Sequence, residues 1–278
     1  MTPPLAPTIQ VLYEDAMLLA VAKPSGMVTH PAYRQPDGTL TDAVFARQAA
    51  RGEARPWLLH RLDRATSGVV LFAKTEVARR VLVRQFERHT LRKQYLALVE
   101  GTLTPPMGEI DAPLKRDPLD RRRVIVAADG QPALTRYRVL GASALAGATY
   151  ALVMMEPVTG RTHQIRAHLA ARGAAILGDA TYRALATAAT GPGVGAAQVE
   201  ATGMAPDGAG VSNVTAPRVM LHAWRLTCRY PQPTLPTPAS SSPDTSPAPF
   251  VVTAPLPTDL LALIGQLGLG DALAHLQD

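Results

Sequence analysis

Between His60 and Gly68 the chain reads HRLDRATSG and runs directly into the apolar stretch VVLFA. Asp63 therefore falls on a turn that feeds a buried strand, with Arg61 and Arg64 on either side. Two roles fit such a group: a nucleophile at a sugar carbon, or one half of a surface salt bridge. Other chemistries are excluded by pattern. The chain has no GxxxxGK phosphate loop, no HExxH, no GxSxG elbow and no strand followed by GxGxxG. His163 and His168 are five residues apart, which does not put both on one helix face, and no carboxylate follows at zinc-ligand spacing. The sequence thus supports neither a metal nor an organic cofactor.

Such residues need elements to position them. Apolar runs and alternation predict strands over 9–13, 17–23, 68–74, 93–100, 133–140, 149–156, 218–230 and 250–254, and helical spacing predicts helices over 41–50, 76–89, 163–172 and 258–268. Strands outnumber helices without regular alternation, which predicts an α+β fold rather than a doubly wound parallel sheet. No internal repeat is present. Residues 184–217 form an Ala, Gly and Thr run without Lys or Arg, and 231–249 are dominated by Pro, Ser and Thr. Neither has a period that builds a core, so both are expected to be flexible loops. Residues 1–8, with three prolines, are expected to be a flexible tail, and 9–278 a single domain.

The helix expected over 76–89 has two faces. Ala78, Val81, Leu82 and Phe86 form an apolar side, while Arg80, Arg84 and Arg88 recur every fourth residue. Like charges at that spacing repel by roughly 0.2 to 0.5 kcal/mol per pair, a penalty that a phosphate backbone would remove. A solvated face is the plainer reading. Arg92, Lys93 and the run Lys115, Arg116, Arg121, Arg122 and Arg123 shift the balance towards nucleic acid.

The whole-chain numbers agree. At 278 residues and 29.5 kDa, with 47% hydrophobic and 18% charged residues and a mean hydropathy of +0.04, the chain is long and apolar enough to bury a substantial core. No apolar run has membrane-span length, and the first residues resemble neither a secretory signal nor an Arg-rich transit peptide. A single cysteine, Cys228, excludes an internal disulfide and suits the cytoplasm. Residues 1–183 hold 25 Lys+Arg against 16 Asp+Glu, whereas 184–278 hold 3 against 6. Only four of the basic residues are lysines. Arginine grips phosphate with two donors and stacks on bases, so an Arg-dominated basic segment points to a polyanion, although a GC-rich genome would also enrich arginine.

HRLDRATSG resembles the signature of the RluA-type family of pseudouridine synthases, whose aspartate is catalytic. Further blocks follow in that family's order: KPSG (Lys23 to Gly26), KQYLALVEG (Lys93 to Gly101), EPVTGRTHQIRAHL (Glu156 to Leu169), ILGDATY (Ile176 to Tyr182) and MLHA (Met220 to Ala223). The resemblance implies an RNA-modifying isomerase with a mainly antiparallel mixed sheet in two halves, helices around it, and a central basic cleft. It makes Asp63 the central catalytic residue, Tyr95 the tyrosine that stacks on the flipped uracil, and Arg166 the arginine that pairs with the aspartate. It gives Arg61 the place vacated by the flipped base. His60 and Thr66 are assigned to loop shaping and RNA binding, and Arg64, Arg80, Arg84, Arg88 and Arg161 to RNA contacts. No cofactor or metal is implied. The expected partner is ribosomal or transfer RNA, with the protein monomeric, cytoplasmic and off the membrane. Because VLYED begins by residue 11, no N-terminal RNA-binding domain is expected ahead of the catalytic part. The alternative is a non-catalytic RNA-binding or ribosome-assembly protein that keeps the fold.

Overall fold

The computed structural model describes residues 9–32, 35–189, 214–231 and 249–276. The expected tail at 1–8, residues 190–213 of the first expected loop and nearly all of the second lie outside them. In chain order the elements begin with β1 (Gln10–Glu14), β2 (Leu18–Lys23), α1 (Leu40–Ala50), β3 (Trp57–Leu58), β4 (Ser67–Ala73) and α2 (Glu76–Glu87). Then come β5 (Arg92–Glu100), β6 (Met107–Asp111), β7 (Leu114–Arg116), β8 (Val124–Val126), β9 (Leu134–Leu145) and β10 (Ala148–Pro157). The chain ends with α3 (Gln164–Ala171), β11 (Ala175–Ile176), α4 (Ala180–Ala189), β12 (Leu221–Arg229), β13 (Pro249–Thr253), α5 (Thr258–Gln266) and a 3-10 helix (Gly270–Leu276). No helix among the described residues is long and apolar enough to cross a membrane.

Two compact units are present, one made of Met1–Lys93 with Ala223–Pro255, the other of Gln94–His222 with Leu256–Asp278. The first carries the strand order β1-β2-β4-β12, with β3 paired to β4 and β13 to β12. β4 is buried along its whole length, which explains why SGVVLFA shows no alternation. Its Gly68 lies at φ +121°, and a Cβ there would overlap the Ala223 carbonyl, so the close approach of β12 requires glycine. α2 is started by the Thr75 side chain, which accepts from the Ala78 amide. It buries Ala78 and Leu82 and half-buries Phe86 in a core with Leu18, Val69, Leu71, Leu226 and Val252. Gln85 fastens the same face to β12, donating to the Arg229 carbonyl at 2.9 Å and accepting from the Arg229 amide at 2.8 Å. Arg80 and Arg84 of the helix, and Arg88 just past its end, are left outside, as the four-residue spacing predicts.

The second unit is built on the order β5-β10-β9-β6, with β11 added to β5 and a separate β7–β8 hairpin. The registered pairs of both units are antiparallel. α3 and α4 pack Ala167, Ala170, Tyr182 and Ala186 against Leu114 and Ala133. Here the loop expected over 184–217 is corrected: its first six residues complete α4. The alanines there are the best helix formers, and Tyr182 and Ala186, one turn apart, give the segment an apolar face.

Candidate active site

In the first unit Asp63 stands on a turn held by the segment 23–29. Lys23 is 1% exposed, and its ammonium donates to the carbonyls of Pro24 at 2.8 Å, Met27 at 2.7 Å and Arg64 at 3.2 Å. The Ser25 hydroxyl donates to the Ala65 carbonyl at 2.7 Å. The Gly26 amide donates to the Arg64 carbonyl at 2.8 Å, and Arg64 returns a bond from Nε to the Gly26 carbonyl at 3.0 Å. Thr29 closes the other side, donating from Oγ1 to the Leu62 carbonyl at 2.8 Å and accepting from the Leu62 amide at 3.2 Å. The Thr66 amide donates to the Asp63 carbonyl at 3.1 Å. Every backbone carbonyl from Leu62 to Ala65 thus has a donor, which makes the turn rigid while Asp63 remains half-buried.

The neighbouring residues divide into buried and exposed. Thr66 is 2% exposed. The His60 ring stacks on Phe86, with centroids 5.1 Å apart, and its Nε2 accepts from the Leu71 amide at 3.1 Å. Burial, reinforced by the charge of Lys93, pushes the His60 imidazole down to about 3, so it is neutral at physiological pH. His60 and Thr66 thus make their described contacts within the first unit. Arg61, Arg64, Arg80, Arg84 and Arg88 are exposed. Arg80 lies 3.7 Å from Glu76, which tempers the like-charge repulsion along α2. Lys93 is half-buried, and its ammonium is brought down to about 8 by burial.

In the second unit, Tyr95 is half-buried on β5 opposite Met155 of β10. Arg166 is 7% exposed on α3 and is gripped by Asp179, from Nε to Oδ2 at 2.6 Å and from Nη2 to Oδ1 at 2.7 Å. Its guanidinium also lies over the Tyr182 ring, 4.9 Å from the centroid. Gln164 staples the start of the helix: its Oε1 accepts from the Thr159 hydroxyl and the Arg161 amide, and its Nε2 donates to the Leu134 carbonyl and to Thr135 Oγ1. His168, fully buried, meets the Ala112 carbonyl through Nε2 and Thr135 Oγ1 through Nδ1, each at 2.9 Å. A carbonyl only accepts, so Nε2 carries the proton and Thr135 donates to Nδ1. Arg161 is exposed, with Nε tied to the Pro132 carbonyl at 3.1 Å.

Lys23 braces the Asp63 turn, and Asp179 and Tyr182 hold Arg166; sequence reading assigned none of the three a part. Their motifs, KPSG and ILGDATY, were visible; the signal was a lysine and an aspartate inside otherwise apolar surroundings. Among the described residues no three His, Cys, Asp or Glu side chains come together to hold a metal ion.

Comparison with known proteins gives these arrangements a context. A family model described as RNA pseudouridylate synthase matches residues 17–171, a span that holds Asp63, Tyr95 and Arg166. The chain is 48% identical over 163 residues to an uncharacterised RNA pseudouridine synthase of Chloroflexus aurantiacus, covering 58% of this chain and 50% of that protein. It is 34% identical over 257 residues to ribosomal large subunit pseudouridine synthase D of Nitrosomonas europaea, covering 92% and 64%. With the dual-specificity RNA pseudouridine synthase RluA of Escherichia coli it shares 36% identity over 230 residues, covering 82% and 90%. The chain spans little more than half the length of several of its curated relatives. Among solved structures, human RNA pseudouridylate synthase domain containing 4 has the same fold, with a TM-score of 0.64, 22% identity and 93% of each chain covered.

Proposed function

The chain belongs to the RNA pseudouridylate synthase family, and from that premise we propose that it isomerises uridines of ribosomal or transfer RNA to pseudouridine in the cytoplasm, acting as a monomer. The observation that carries this reading is the turn of Asp63, whose carbonyls are bonded by Lys23, Ser25, Gly26 and Thr29. That bracing supports a role for Asp63 at a reacting atom, because a surface salt bridge has no need of so rigid a mount.

The reaction breaks the bond from the ribose carbon to N1 of uracil and forms one from the same carbon to C5. The proton leaves C5 and N1 gains one, so no electrons, water or energy source enter. Asp63 either attacks the ribose carbon as the bond to N1 breaks, its ester then being displaced by C5 of the turned uracil, or assists departure of the base, which returns to the same carbon through C5. Arg166 orients the Asp63 carboxylate, and Tyr95 stacks on the uracil and assists loss of the C5 proton. A stacked nucleotide hides the reacting carbon, so the uridine is flipped out, and Arg61 enters the space it leaves. Arg64, Arg80, Arg84, Arg88 and Arg161 hold phosphates, while His60 and Thr66 act by shaping the turn.

Mapping pseudouridine in RNA from cells with the gene, without it, and with Asp63→Asn tests the proposal. Sites present only with the intact gene are expected. Unchanged maps in all three would refute it, and sites retained with Asp63→Asn would remove Asp63 from the chemistry. Arg61→Ala is expected to slow turnover of a folded stem-loop more than that of a flexible strand, since only the former resists flipping.

A further inference from the structure

At the far end of the β7–β8 hairpin, Leu119 is 92% exposed, the most exposed large hydrophobic side chain among the described residues. Single exposed leucines are ordinary on protein surfaces. This one differs in how it is held. The Leu119 amide donates to Asp117 Oδ1 at 2.8 Å, and the other oxygen of that carboxylate takes Arg123 Nε at 2.6 Å. The Asp117 amide donates to the Arg123 carbonyl and the Arg123 amide to the Asp120 carbonyl, both at 3.1 Å. Asp120 in turn accepts from Arg122 Nε at 2.8 Å and Nη2 at 2.7 Å. The turn is therefore ordered by its polar groups alone, and the leucine is displayed without being needed to build it.

The base of the hairpin is equally fixed. Leu114 is buried against α3 and α4, and the Val124 amide donates to the Tyr182 hydroxyl at 2.9 Å. Two acidic residues face five basic ones between 115 and 123. Both acids, Asp117 and Asp120, are already occupied by Arg123 and Arg122, so they offer little repulsion to an incoming anion. Arg116, Arg121 and Arg122 are exposed around the leucine.

We infer that this hairpin is an RNA-gripping arm in which Leu119 packs on the face of an unpaired base while Arg116 and Arg121 hold the flanking phosphates. The inference rests on the proposed RNA substrate and adds a contact for it. A rigid apolar tip ringed by cations suits a polyanion whose bases have exposed faces; a polyanion without bases would engage only the ring.

The test measures binding of a fluorescein-labelled oligouridylate over a range of salt, with inorganic polyphosphate as a base-free control. Leu119→Ala is expected to weaken oligouridylate about fivefold, leaving both the salt slope and polyphosphate binding unchanged, since stacking on a base releases no counterions. Arg121→Ala is expected to weaken both ligands and to lower the salt slope by about one. Leu119→Trp is expected to tighten oligouridylate, a gain that misfolding cannot mimic. Unchanged oligouridylate affinity in both Leu119 variants would overturn the inference and assign the tip to a protein partner or to none, leaving the isomerase reading standing. Failure of the unaltered protein to bind oligouridylate, ribosomal RNA or transfer RNA would overturn both.

Discussion

Arg166 and Asp179 are joined by two bonds, at 2.6 and 2.7 Å, with the arginine side chain 7% exposed and the aspartate 1%. The planar fork of a guanidinium leaves little freedom once two of its donors are matched to one carboxylate, and Tyr182 covers its face. Asp179 therefore fixes the orientation of the Arg166 guanidinium on α3. Asp179→Ala leaves a buried charge without its partner and is expected to cost about 3 to 5 kcal/mol in urea unfolding. Asp179→Asn, which keeps one acceptor, is expected to cost less. A loss below about 1 kcal/mol for the alanine variant, the range of an exposed pair, would mean that the pair does not hold the helix and the arginine in place.

Lys23→Met retains the buried aliphatic stem and removes the donors to the Pro24, Met27 and Arg64 carbonyls. A hydrogen bond from a charged group contributes about 1.5 to 3 kcal/mol, so a destabilisation in or above that range is expected. Turnover, measured well below the unfolding midpoint, is expected to fall with it because the Asp63 turn loses its clamp. Normal turnover by the folded variant would show that the clamp serves stability alone.

Gly68→Ala is expected to prevent β12 from lying against β4, since the added carbon would overlap the Ala223 carbonyl and the backbone is at φ +121°. Soluble expression and the thermal midpoint report on this. A midpoint within a few degrees of the unaltered protein, equivalent to less than about 1 kcal/mol, would contradict the close approach.

Stability is expected to fall as pH drops below neutrality. His60 titrates at about 3 in the folded chain because burial, with help from the charge of Lys93, disfavours the imidazolium, whereas the unfolded residue titrates near 6.5. Between those values the unfolded state binds the extra proton. The neutral form therefore supports the fold fully above pH 6.5, and that support is lost progressively as pH falls towards 3, by up to about 1.4 kcal/mol per pH unit. His168, lowered by burial, acts in the same direction. Denaturant unfolding at pH 7.5 and 5.5 is expected to show a shallower pH dependence for His60→Gln than for the unaltered protein. Identical slopes would exclude His60 as a source.

Local pattern alone determined α2, with Ala78, Leu82 and Phe86 on one side and Arg80, Arg84 and Arg88 on the other, because helix periodicity is written in neighbouring residues. The same holds for the principal strands, whose runs are long enough to show their period, and for Asp63, whose flanking motif is continuous. The α+β class followed from the order of those elements. Short strands such as β3 and β11, two residues each, carry no period and exist only because β4 and β5 offer them partners. The start of 184–217 reads as loop from its composition, yet its alanines become helix where Tyr182 and Ala186 find a core. Lys23 looks like any surface lysine until the fold brings Arg64 to it from 41 positions away, and Asp179 gains a role only when α3 delivers Arg166 across 13. Buried polar side chains draw their meaning from carbonyls and charges distant along the chain, and only the tertiary structure brings those together.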